Sequence, residues 1–206
     1  MAHDPLRLAV VVGSGRPGST GATVARWFAG QARRYGGLCT DVIDLAGYTL
    51  PAEPVTAPPP EAAAQLADLT PRLAAADVFV LVTPEYNRSF PASLKALIDW
   101  HDSEWQAKPV GFVSYGGRSG GLRAVEQLRQ VLGELHAVAV RDTVSFHGVW
   151  DLFDPEGSPR DPEGCATAAK ALLDQLGWWG TVLREGRTRH PYLHGARPVL
   201  TGRAGG

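Results

Sequence analysis

The chain has 206 residues, 44% of them hydrophobic and 20% charged, which is the composition of a globular protein long enough to bury a substantial core in one large domain. Its formal net charge of −1 argues against a protein drawn to nucleic acid or to an anionic membrane by overall charge. Cys39 and Cys165 fit no disulfide framework or metal spacing, and no signal peptide or apolar run of about 20 residues is present, so we predict a cytoplasmic protein without a membrane span.

Five short apolar segments alternate with helical patterns along the chain. The predicted strands cover residues 8–12, 42–43, 78–82 and 110–113, and a fifth begins at 137–140. The predicted helices cover residues 20–35, 61–76, 122–135 and 163–183, and a further one begins at Pro91. This alternation predicts an α/β fold with a parallel sheet covered by helices on both faces. Ligands of such sheets bind beyond the carboxyl ends of the strands, so the loops that follow the strands are the candidate sites.

Two stretches fall outside the alternation. Residues 47–60 are rich in proline and predict a long surface connection, because proline interrupts helices and central strands. Residues 186–206 are rich in glycine and arginine and show little periodicity. We therefore expect one domain over 1–185 and a tail over 186–206 that is loose or packs against a partner subunit. His190 and His194 of this tail lack a third ligand, and no metal site is predicted.

The first candidate loop is GSGRPGST, residues 13–20, between the first strand and the first helix. Its glycines allow a tight turn, and the helix that follows presents free N–H groups and a positive dipole end. Donors that suit phosphate oxygens are concentrated here, namely Ser14, Arg16, Ser19 and Thr20. The glycines also match G-x-G-x-x-G, which would suggest a dinucleotide site with Asp44 as the acidic residue. The hydroxyl and guanidinium donors favour instead the terminal phosphate of a mononucleotide such as FMN.

Two further loops follow the third and fourth strands. Residues 83–91, TPEYNRSFP, combine an aromatic ring, an amide and backbone groups that can line a flat heteroaromatic ring. A proline-bounded turn with Asn87 capping the next helix is an equally good interpretation of this segment alone. Residues 114–121, SYGGRSGG, contain glycines that allow a ligand edge to approach the backbone closely. Three ligand-suited loops at one sheet edge favour a single shared site.

A family resemblance follows from these loops. The segments GSGRPGS, TPEYNRSFPASLKALIDW and VSYGGRSGG, in this order and spacing, resemble the NADPH-dependent FMN reductase family, which includes quinone, chromate and azo reductases. The resemblance covers roughly residues 6–183. It implies a flavodoxin-like three-layer sandwich with a five-stranded parallel sheet in the order 2-1-3-4-5. One departure is Gly21, where the family often has Asn, so that one phosphate or ribityl contact is expected to be missing.

The resemblance also implies a cofactor and the residues that hold it. Tightly bound FMN is expected, with NADPH or NADH as co-substrate. The residues expected at the phosphate are Ser14, Arg16, Ser19 and Thr20; those expected along the isoalloxazine are Pro84, Glu85, Tyr86 and Asn87; those expected at its other edge are Ser114, Gly116 and Gly117, with Tyr115 also among the cofactor-binding residues. Because the cofactor carries out the chemistry, no side chain is predicted to be catalytic.

The predicted function is an FMN-dependent NAD(P)H oxidoreductase that reduces a small acceptor such as a quinone, an azo compound, a metal ion or a flavin. Three alternatives stay open: a flavin-dependent enzyme of a specialised biosynthetic pathway, a non-enzymatic electron carrier, and a nicotinamide-dependent dehydrogenase. Trp100 and Trp105, with Phe90, are interpreted as an apolar patch outside the core. The resemblance further implies a homodimer or dimer of dimers, with contacts in this region and Arg88 at their boundary. Trp178-Trp179 is expected to pack at the end of the last helix.

Overall fold

The computed structural model of the chain describes residues 4–16 and 18–192. The strands are β1 Leu6–Val12, β2 Leu38–Asp44, β3 Val78–Pro84, β4 Pro109–Gly116 and β5 Val138–His147. The helices are α1 Gly21–Tyr35, α2 Pro60–Ala75, α3 Ala92–Asp99, α4 Leu122–Glu134 and α5 Pro162–Arg189, with short 3₁₀ turns at Leu45–Gly47 and Val149–Asp151. Every predicted strand and helix is therefore present.

The five strands form one parallel sheet in the order β2-β1-β3-β4-β5. This is the flavodoxin-like order, which confirms the predicted fold class. Two hydrophobic cores flank the sheet. One packs residues of α1 and α5 against one face, including Phe28 and Leu172, and the other packs residues of α2, α3 and α4 against the opposite face, including Leu69 and Leu97. Strand β3 is buried along its whole length, as expected of a central strand between two helical layers.

The strands extend further than their apolar runs predicted. Strand β2 has seven residues, whereas its apolar run predicted two. It lies at the sheet edge, where Ile43 is its one buried residue and polar side chains face solvent, so most of the strand gives no apolar signal. Strands β4 and β5 continue through Ser114 and Ser145 into the polar carboxyl edge. Backbone pairing holds these residues in the sheet although their side chains give no apolar signal.

The last helix corrects the predicted tail. Helix α5 ends at Arg189 and not at residue 183, so the predicted domain boundary at 185 falls inside a helix. Ion pairs replace apolar anchors in its final turns: Arg184 and Arg187 lie 3.5 and 3.2 Å from the carboxylate of Asp77, the residue before β3. Arg187 also donates to the Ala107 carbonyl over 2.6 Å. Residues 193–206, with His194, lie outside the described residues.

Two tryptophan predictions were wrong in part. Trp105 is fully buried and packs on Phe79 with the ring centroids 4.6 Å apart, so it belongs to the core and not to a surface patch. Trp100 is half-buried, and its indole N–H donates to the Pro51 carbonyl over 2.8 Å, which ties the proline-rich connection to α3. Trp178 and Trp179 lie inside α5; Trp179 packs against the core, whereas Trp178 is 60% exposed.

None of the helices in 4–16 and 18–192 is long and apolar enough to span a membrane. Within the same residues, no group of three or more His, Cys, Asp or Glu side chains is placed to hold a metal ion.

Candidate functional site

Three loops meet at the carboxyl edge of the sheet. Loop 1 (13–20) follows β1, loop 2 (85–91) follows β3, and loop 3 (117–121) follows β4. These strands are neighbours in the sheet, so their loops emerge side by side. Hydrogen bonds between side chains join the loops, as described below. The sequence prediction that they form one site is thus consistent with their positions.

Hydrogen bonds with loop 2 and with α3 hold loop 1 in place. The Ser14 side chain is fully buried, and its Oγ lies 3.0 Å from the hydroxyl of Tyr86 in loop 2 and accepts from the Arg16 N–H over 3.3 Å. On the other side, Ser93 Oγ donates to the Gly13 carbonyl over 2.7 Å and accepts from the Gly15 N–H over 3.1 Å. A Cβ on Gly13 would lie 3.0 Å from Leu94 Cδ2 and 3.2 Å from the Val82 carbonyl oxygen, so a larger residue here would crowd α3 and β3.

Loop 1 leads into the N-terminus of α1, which is suited to bind an anion. Helix α1 begins at Gly21; Thr20 makes no side-chain capping hydrogen bond, and the first turn contains no acidic residue. Its first N–H groups therefore keep their capacity to bind an anion, and the helix dipole adds positive potential. Arg16 is exposed beside them, while Ser19 and Thr20 are half-buried.

Loop 2 contains a tight turn with unusual backbone angles. The N–H and carbonyl groups of Tyr86 and Ser89 bond to each other over 2.8 and 3.0 Å, and between them Asn87 and Arg88 have φ of 50° and 71°. Asn87 is thus a turn residue; the residue before α3 is Pro91, and the helix-capping interpretation of Asn87 was wrong. Gln127 of α4 fixes the turn by donating to the Arg88 carbonyl over 2.9 Å. Left-handed angles at non-glycine residues store strain, which is most common at functional sites.

Glu85 connects loop 2 to loop 3. Its carboxylate accepts hydrogen bonds from Ser119 Oγ at 2.6 Å, from the Arg123 N–H at 3.2 Å and from the Arg123 guanidinium at 3.1 Å. Burial alone would raise the pKa of the Glu85 carboxyl, but the hydrogen bonds from Ser119 and Arg123 together lower it below its ordinary value. The carboxylate is therefore ionised at neutral pH and engaged by α4. We conclude that Glu85 acts as a clamp between the loops.

Loop 3 is held from inside by side chains of β4 and β5. Ser114 Oγ and Ser145 Oγ both donate to the Gly120 carbonyl, over 2.7 and 2.9 Å. A ring nitrogen of His147 lies 3.0 Å from the Arg118 carbonyl. These carbonyls are turned toward the protein. Ser145 and His147 were not among the predicted site residues, although their position at the end of the fifth strand is the same signal that points to loops 1, 2 and 3.

The remaining predicted residues differ in how deeply they are buried. Pro84 is buried at the end of β3, and Tyr86 is 40% exposed at the rim. Gly116 and Gly117 are half-buried, and a Cβ on Gly117 would lie 3.0 Å from the ring of Trp150, which is 77% exposed. Tyr115 is buried, with its side chain directed toward the first residue of α1 and not toward loop 3.

Comparison with known proteins places this arrangement among flavin reductases. A family model described as NADPH-dependent FMN reductase matches residues 6–151. An NAD(P)H-dependent FMN reductase of Schizosaccharomyces pombe is 33% identical over 134 residues, which cover 63% of this chain and 66% of that protein, just under two thirds. A quinone reductase of Pseudomonas putida is 32% identical over 180 residues, covering 84% of this chain and 93% of that protein.

A solved structure shows the same fold. The flavoenzyme NAD(P)H:(acceptor) oxidoreductase FerB from Paracoccus denitrificans superposes with a TM-score of 0.64 over 87% of this chain and 98% of its own, at 22% identity.

Proposed function

The chain belongs to the NADPH-dependent FMN reductase family, and from this premise we propose that it binds FMN and passes hydride from NAD(P)H through it to a small acceptor such as a quinone or an azo compound. The proposal rests mainly on one observation: side-chain hydrogen bonds join the three loops at the carboxyl edge, through Ser14 with Tyr86 and Glu85 with Ser119. The relatives named above are reductases, which favours an enzyme over an electron carrier or a dehydrogenase.

The donors of loop 1 fit the phosphate end of the cofactor. Uncapped N–H groups at the start of α1, the hydroxyls of Ser14, Ser19 and Thr20, and the Arg16 guanidinium all suit a dianionic phosphate. A Cβ on Gly13 would meet the Val82 carbonyl of β3, so the glycine lets the loop lie close to that strand. We assign these residues to the phosphate.

Loops 2 and 3 fit the ring end. We assign the backbone of Pro84–Asn87 and the Tyr86 ring to one side of the isoalloxazine and Gly116-Gly117 to its polar edge. Glu85 and Ser114 support this surface from behind, because their side chains are already occupied by Arg123 and by the Gly120 carbonyl. Bound FMN supplies the two-electron chemistry, and the protein holds the ring, tunes it by hydrogen bonds and limits the access of water.

A direct test uses purified protein incubated with excess FMN and then desalted. We expect flavin absorbance to be retained, to bleach when NADPH or NADH is added anaerobically, and to return on addition of a quinone or an azo dye. Bleaching that requires a separate reductase would favour an electron carrier. Protein that stays colourless after the FMN incubation would refute the proposal.

We also propose a homodimer formed through the surface beside loop 2. An open cavity of about 730 Å³ lies between α3 and α4; residues that line it include Ser89, Phe90, Lys95, Gln127 and Val131. Half-buried Phe90 and Val131 give this groove an apolar base, and Ser89, Lys95 and Gln127 give it polar margins, as in many subunit interfaces. Gel filtration at micromolar concentration should give the mass of a dimer or tetramer, and the mass of a monomer would refute the assignment.

A further inference from the structure

Tyr115 carries a buried hydroxyl that has no hydrogen-bond partner among the described residues. The side chain is 5% exposed and belongs to the core beneath α1. Its hydroxyl oxygen is buried and makes no hydrogen bond within residues 4–16 and 18–192. Leaving a polar atom unsatisfied in a core is costly, so such an atom in a folded protein calls for an explanation.

The position of this hydroxyl is specific. A Cβ on Gly21, the first residue of α1, would lie 2.6 Å from the Tyr115 oxygen and 3.3 Å from Ser19 Oγ. The tyrosine therefore fills the space that any side chain at position 21 would need. It reaches from β4, through the core, to the underside of loop 1.

The hydroxyl is a proton donor. Burial raises the pKa of the Tyr115 phenol to about 12, and the neighbouring Ser19 hydroxyl and Arg16 guanidinium oppose only part of this shift. The group therefore stays protonated at physiological pH. The neighbouring Arg16 guanidinium can only donate, and the Ser14 and Ser19 hydroxyls, which could accept, make no hydrogen bond with Tyr115, so the Tyr115 proton has no acceptor in the described part of the chain. A phosphate oxygen would supply one.

We propose that the Tyr115 hydroxyl is the buried donor of the phosphate site, giving its hydrogen bond to a phosphate oxygen of the cofactor from beneath loop 1. This inference rests on the proposed function and deepens it: Gly21 and Tyr115 act as a pair, the glycine providing the space and the tyrosine the donor. It makes the site selective for the phosphorylated flavin over the unphosphorylated one.

Tyr115→Phe separates this role from a structural one. We expect the variant to bind FMN about tenfold to a hundredfold more weakly, the equivalent of one lost hydrogen bond to a charged group, and to bind riboflavin with unchanged affinity. Removing an unsatisfied hydroxyl should at the same time raise the Tm of the cofactor-free protein by about 2–4 °C. Isothermal titration with FMN and with riboflavin, together with thermal unfolding of the apoprotein, measures all three quantities. Tyr35→Phe, at the exposed far end of α1, is the matched control for binding and should change neither affinity.

The outcomes distinguish the two proposals. FMN affinity unchanged in Tyr115→Phe, or FMN and riboflavin weakened equally, overturns the inference while leaving the proposed function intact. Absence of FMN binding by the unmodified protein would instead refute the proposed function.

The close contact between Gly21 and Tyr115 has a separate test. Gly21→Ala should lower the Tm of the apoprotein in the natural background but much less together with Tyr115→Phe, because the contact at 2.6 Å is then removed. Equal losses in both backgrounds would count against the pairing.

Discussion

Replacing Glu85 by Ala should weaken FMN binding by about a hundredfold, the equivalent of about 2.7 kcal/mol. The carboxylate accepts three hydrogen bonds, two of them from Arg123 at the start of α4, and its side chain is only 10% exposed. Loss of the Glu85 carboxylate leaves Ser119 and Arg123 without this partner and releases loop 3 from loop 2. Loops 2 and 3 must then become ordered when FMN binds, and this ordering lowers the affinity. Fluorescence titration of FMN measures the loss.

Two further variants define the mechanism of this loss. Glu85→Gln keeps the shape but places an amide N–H₂ against one of the Arg123 donors, so an intermediate loss of about tenfold is expected. Asp174→Asn, which breaks the exposed Lys170–Asp174 pair on α5, should have no effect on FMN affinity. If Glu85→Ala binds FMN as well as Asp174→Asn does, Glu85 is not a clamp for the site.

The Glu85 clamp also has a pH signature. Because the folded pKa of Glu85 is lowered, its contribution is present above the ordinary range of a glutamate and is lost as the pH falls through the folded pKa. The advantage of the natural protein over Glu85→Gln should therefore disappear in acid.

The sequence predicted the architecture well because the central strands and the helix faces carry clear periodicity. Strand β3 is an unbroken buried run, and the helices present buried residues such as Val125 and Leu128 at regular spacing. The same rules missed most of β2, since pairing at a sheet edge demands only one buried residue there. The same rules predicted an α5 that is too short, because ion pairs between two arginines and Asp77 anchor its last turns.

The sequence predicted which loops lie side by side at the carboxyl edge but not how their side chains are bonded to one another. The loops follow neighbouring strands, and that much is implied by topology. Which side chain faces a ligand and which faces the neighbouring loop depends on three-dimensional partners. Glu85 was expected along the ring but is bonded to Arg123, and Ser114 was expected at the ring edge but is bonded to the Gly120 carbonyl. The contact between His147 and the Arg118 carbonyl could not be predicted, because the two residues lie 29 positions apart in the sequence.

Gly121→Ala should be the most damaging single-methyl change at the site. Gly121 ends loop 3 with φ of 84°, and an added Cβ would lie 2.7 Å from the Ser114 Cβ, 2.9 Å from the Tyr115 nitrogen and 3.1 Å from the Tyr115 carbonyl oxygen. Two of these three atoms belong to the backbone of β4, which its pairing with β3 and β5 prevents from moving aside. We expect a loss of about 2–4 kcal/mol in the free energy of unfolding, and weaker FMN binding because loop 3 is displaced.

Gly148→Ala separates the backbone strain of this change from its crowding. Gly148 is also left-handed, with φ of 62° and ψ of 43°, but no atom lies within 4 Å of an added Cβ. It should therefore lose only the cost of the left-handed angle, about 1 kcal/mol. Urea unfolding of both apoproteins gives the comparison, and FMN titration of Gly121→Ala measures the effect on binding. Equal losses of stability in the two variants would mean that loop 3 can move away from β4, and the close contact between Gly121 and Tyr115 would then not be what fixes the ring-binding edge.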